Sequence, residues 1–123
     1  DSTDLAYLTR LADRGSILGM DRFGLDMLLP FADRLATIVE LVKHGYVNSI
    51  ALSHDCFSWA SLMPDPAYTT PGHDYLDVSQ KLIPALLEAG ITRQQIDTML
   101  IENPRRHLTG AAERLAARRS AAH

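Results

Sequence analysis

The chain has 123 residues, 46% of them hydrophobic and 22% charged, with a net charge of −3. That length and balance suit one globular domain with a real core. The slightly acidic balance argues against a nucleic-acid binder, which carries a basic excess, and no stretch is long and apolar enough to predict a membrane span. Cys56 is the only cysteine, so no internal disulfide can form, and a reducing, cytoplasmic compartment is expected.

The chain opens on Asp1-Ser2-Thr3-Asp4 rather than on Met. This run reads as a helix cap, with Ser2 or Thr3 as the capping side chain. A beginning of that kind is expected of a segment of something longer, or of a chain trimmed by processing. Residues 4–14 predict a helix whose apolar face holds Leu5, Leu8, Leu11 and Ala12, closed by Gly15. Residues 16–20 are a short apolar run that fits a buried strand. A loop over 21–31 leads into a second predicted helix, residues 32–44, with Leu35, Ile38, Val39 and Val42 facing a core and Gly45 at its end. Residues 49–53 are a second buried-strand candidate. Strand, helix, strand in this order is a βαβ unit with parallel strands. Its open edges would be better satisfied inside a larger sheet or barrel.

After Asp55 the run 56–76 predicts a long loop containing Pro64, Pro66, Pro71 and Gly72. Loops of that length are usually functional or disordered. Asp77 or Ser79 is expected to cap a third helix that turns Leu82, Ile83, Leu86 and Leu87 inward and tolerates Pro84 only near its start. Thr92 and Gln95 match a capping box for a fourth helix. Pro104 should restart a turn, and Thr109 should cap a final Ala- and Arg-rich helix. The basic stretch 105–119 is read as a solvated helix face.

In parallel α/β folds, functional groups gather at the carboxyl ends of the strands. Asp21 follows the first predicted strand and Asp55 the second. Position alone leaves two readings open for them, functional carboxylates or caps of helices and turns. Arg22 beside Asp21 can hold a substrate oxygen or form a salt bridge. Neighbouring residues on a strand face opposite ways, so His54 and Asp55 do not share one ion. Asp55 is expected on the inner side and His54 among the helices. Cys56 has no histidine at a known spacing and is not expected to be a nucleophile.

The segments Gly15-Ser16-Ile17-Leu18-Gly19-Met20-Asp21-Arg22-Phe23-Gly24-Leu25-Asp26 and Ser49-Ile50-Ala51-Leu52-Ser53-His54-Asp55 resemble the seventh- and eighth-strand regions of the phosphotriesterase-like lactonases. Asp4 to Leu8, Ile83-Pro84, Gly90-Ile91 and Glu102-Asn103-Pro104 extend the resemblance over nearly the whole chain. It implies the C-terminal portion of a (β/α)8 TIM barrel, two parallel strands with flanking helices, with residues 1–123 a segment of one metal-dependent hydrolase domain. It further implies two divalent metal ions (Zn, Co, Fe or Mn) in the parent, a lactone or organophosphate ester as substrate, the remainder of the barrel as structural partner, and a homodimer. On this resemblance Asp55 is a metal ligand and catalytic residue, and Arg22 lies close to substrate. Cys56, Phe57 and Trp59 belong to the substrate pocket, and Asp1 and Asp21 to a proton relay or salt bridge. The family's remaining ligands, histidines and a modified lysine, have no counterpart in the chain. The metal site is therefore expected to be incomplete and the isolated segment inactive. Two other readings are a non-catalytic assembly segment and, over residues 92–108, a helix-turn-helix-like binding module.

Overall fold

In the computed structural model the chain is described over residues 2–56 and 74–111. The first helix, α1 (Leu5–Asp13), is capped by Asp4, whose carboxylate accepts from the Tyr7 amide at 2.9 Å. The cap is one or two residues later than Ser2 or Thr3. Asp4 lies three residues before that free amide, whereas Ser2 is taken up by the Asp4 amide. Leu8 and Ala12 bury the inner face of α1. A Schellman-type end closes it, with Gly15 at φ 82° and the Ser16 amide reaching back to the Leu11 carbonyl at 3.1 Å.

Strand β1 (Leu18–Met20) pairs in parallel with β2 (Ile50–Leu52), in the register Leu18–Ile50, Gly19–Ala51, Met20–Leu52. The Ser53 amide extends the ladder to the Met20 carbonyl at 3.1 Å. Alternation gives the ribbon two faces. Leu18, Ile50 and Leu52 are buried, while Gly19 is exposed and Ala51 half-buried on the opposite face. Helix α2 (Phe31–Lys43) connects the strands. It packs Ile38 and Leu41, both fully buried, into the core that Ile50, Leu82, Leu86, Ile96 and Met99 complete. A 3-10 turn (Tyr46–Ser49) brings the chain from α2 to β2.

The C-terminal helices contain two wide turns, and proline explains both. A π turn (Val78–Leu82) runs into α3 (Ile83–Glu88), and a second π turn (Thr98–Glu102) follows α4 (Arg93–Asp97). The Ile83 amide bonds back to the Val78 carbonyl, and the Asn103 amide to the Thr98 carbonyl. Each donor is the residue just before Pro84 or Pro104. A proline has no N–H to give and its ring crowds the preceding turn, so the helix widens by one residue and continues instead of stopping. Neither Asp77 nor Ser79 caps this helix, because residue 77 is already helical and buried. Asp74 serves the entry by accepting from the Leu76 amide at 2.7 Å. Leu87 is 43% exposed rather than inward. The Thr92–Gln95 capping box forms as expected. Residues 103–111 are helical throughout. Thr109 therefore caps nothing, and its hydroxyl donates to the Arg105 carbonyl one turn back at 2.8 Å. Among the described residues, no helix is long and apolar enough to cross a membrane.

Candidate functional site at the strand ends

Both strands end in an unusual backbone. Arg22, two residues past β1, has φ 64°, and Asp55, three past β2, has φ 53°. They are the non-glycine residues with positive φ among those described. Aspartate tolerates this left-handed region through local hydrogen bonding, and here the Asp55 amide bonds to the Ser53 hydroxyl at 3.4 Å. For an arginine the same conformation costs about 1–2 kcal/mol. The two turns bring the side chains together, with Arg22 Nε 3.4 Å from Asp55 Oδ2. The side chains are 42% and 55% exposed. A solvated ion pair of this length contributes less than about 1 kcal/mol. Backbone held in this sparsely populated region clusters at functional sites.

The neighbouring groups lie just past the strand ends. The Asp21 carboxylate lies over the open face of the ribbon, its Oδ2 3.9 Å from where a β-carbon on Gly19 would stand. His54 is half-buried and meets Tyr75 edge to face, with ring centroids 5.5 Å apart. Cys56 is half-buried, and burial, reinforced by the charges of Asp74 and Asp77, pushes its thiol above the usual range. A thiol shifted in that direction is a poor nucleophile. Asp1, Phe57 and Trp59 lie outside the described residues.

Two residues that sequence reasoning passed over hold this end of the fold and the opposite one. Arg34, on α2, is 5% exposed and donates to the carbonyls of Asp21, Leu25 and Leu29, each at 3.1 Å. Asn103 is fully buried below the strands and donates to the Val47 carbonyl at 2.7 Å and the Ile50 carbonyl at 2.6 Å. Each carried a signal. Arg34 shares a helix face with Ile38 and Leu41, and Asn103 with Ile96 and Met99, so a polar group stands in an apolar stripe.

A cavity of about 400 Å³ runs beside β1, lined by Gly19, Met20, Asp21 and Arg34 among others, but by neither Arg22 nor Asp55. Among the described residues no three His, Cys, Asp or Glu side chains gather around one point. A catalytic divalent-metal site takes about three protein ligands. These residues therefore do not form a metal centre by themselves. Asp55 fits one ligand position at most, and the remaining donors would have to come from outside the described residues.

The phosphotriesterase family profile matches residues 1–108. A phosphotriesterase homology protein of Mycobacterium tuberculosis is 41% identical over 108 residues, covering 86% of this chain and 33% of its own length. The aryldialkylphosphatase of Saccharolobus solfataricus is 33% identical over 110 residues, covering 86% of this chain and 35% of its own. The solved structure of the M. tuberculosis phosphotriesterase superposes with a TM-score of 0.74 at 41% identity, over 85% of this chain and 33% of that one. The chain thus spans about a third of the length of these relatives. The parallel strand pair, with its helices on one face and small residues on the other, is the C-terminal portion of a (β/α)8 barrel, and the chain belongs to the phosphotriesterase family.

Proposed function

We propose that this chain is the closing segment of a single-domain hydrolase barrel acting on lactones, with promiscuous hydrolysis of organophosphate triesters. The observation that carries the reading is the Arg22–Asp55 pair, two strained residues meeting at the carboxyl ends of adjacent strands, where barrel enzymes keep their chemistry. Asp55 supplies one ligand of a two-metal centre (Zn, Co, Fe or Mn) completed by the rest of the barrel. Metal ions bound there would supply a water that is nucleophilic at neutral pH and a Lewis acid for the substrate oxygen. Arg22 holds the Asp55 carboxylate in place and lies where a substrate oxygen would approach. Asp21, and Asp1 on the segment preceding α1, fit a salt-bridge or proton relay around Arg22. Cys56, Phe57 and Trp59 fit the wall of the substrate pocket. A cytoplasmic homodimer is the assembly we associate with this reading.

The second reading, a non-catalytic assembly piece, does not account for the strain at the strand ends. The helix-turn-helix reading of residues 92–108 is disfavoured by the backbone. Residues 93–111 run as one continuous helix through the wide turn, so no turn separates two helices there. Metal-supplemented assays of the full-length protein on a γ-lactone and on a nitrophenyl phosphotriester test the proposal. Lactone turnover exceeding triester turnover is expected, and failure to hydrolyse either class would overturn it.

A further inference from the structure

The loop carrying Arg22 is held from below by one cation. Arg34 reaches up from the first turns of α2 and bonds the carbonyls of Asp21, Leu25 and Leu29, so its three contacts span the loop from end to end. Phe23, 1% exposed and edge to face with Phe31 at 5.9 Å, anchors the same loop on the apolar side. Burial lowers the pKa of the Arg34 guanidinium, Asp26 and Asp21 oppose that, and the charge of Arg22 adds to the lowering. An arginine in a protein nonetheless keeps its proton.

The bond to Asp21 matters most. The Asp21 carbonyl and the Arg22 amide belong to one rigid peptide plane. Rotation of that plane about the Arg22 N–Cα bond is the φ angle of Arg22, here 64°. A donor held 3.1 Å from the Asp21 oxygen therefore restrains that plane, and with it the φ of Arg22. We infer that Arg34 is a positioning residue, which sets the backbone of Arg22 through the Asp21 carbonyl and thereby holds the Asp55 carboxylate in its working orientation. The inference rests on the reading of Arg22 and Asp55 as parts of the catalytic centre.

A double-mutant cycle in the full-length metal-loaded enzyme tests it, with kcat/KM on the nitrophenyl phosphotriester as the readout and thermal melts alongside. Lysine keeps the charge but cannot span three carbonyls. Arg34→Lys should lower kcat/KM about tenfold, as a sub-ångström misplacement does. With Arg22→Ala already present, adding Arg34→Lys should lower it no further. Independent, multiplicative losses would overturn the positioning role while leaving the site reading intact. So would an Arg34→Lys protein that melts far below the parent, because the residue would then serve the framework alone. An Arg22→Ala enzyme with parental kcat/KM would instead remove the site reading, and the inference with it.

Discussion

On the proposed reading, Arg22 and Asp55 set a cost in stability against a gain in function. Glycine adopts left-handed backbone without penalty, so Arg22→Gly should raise the stability of the full-length protein by about 1 kcal/mol while lowering kcat/KM. A thermal melt and a rate measured on one preparation check both halves. A variant that is both less stable and fully active would refute the assignment. The presence of Asp21, Arg22 and Asp55 at strand ends was legible in the sequence, because short apolar runs mark parallel strands and their carboxyl ends mark the mouth. Their pairing was not. It depends on two φ angles, and nothing in the residue types Arg and Asp announces a positive φ as a glycine would.

At the scale of elements, hydrophobic spacing located α1, β1, α2 and β2 to within two residues, and Thr92 with Gln95 announced α4. Two departures share one cause. Pro84 is expected only near a helix start and Pro104 to restart a turn, yet the buried faces around them, Leu82 with Leu86 and Met99 with Asn103, carry the helices through both prolines in wide turns. Tertiary burial outweighed the local penalty of proline. The second wide turn delivers Asn103 to two carbonyls at the entrance to β2. Its amide oxygen accepts from Arg106 at 2.9 Å, and Arg106 also donates to the Asn48 carbonyl at 2.7 Å. Asn103→Leu leaves buried carbonyls without donors and should destabilise the full-length protein by about 3 kcal/mol, whereas Thr92→Ala at the exposed capping box should cost about 1 kcal/mol. Urea midpoints of the two variants rank them, and the reverse order would contradict the role given to Asn103.

On the scale of the whole molecule, the described residues form a two-stranded ribbon with Gly19 exposed on the face that lines the inside of a barrel. Asp55 as a single ligand does not hold a pair of metal ions. The 123-residue chain alone, supplied with Zn, Co or Mn, should therefore hydrolyse neither lactone nor phosphotriester, and turnover above a metal-only blank would show that the chain carries a complete site. The family was legible in the two strand-end segments, since sequence carries backbone pattern and site together there. The barrel mouth itself was not, because most of its walls belong to other strands. The most direct test of the account is kcat of the full-length enzyme with Asp55→Ala at saturating metal. Loss of a ligand that sets the nucleophile should lower kcat by about two orders of magnitude or more, and a variant turning over at the parental rate would remove Asp55 from the chemistry.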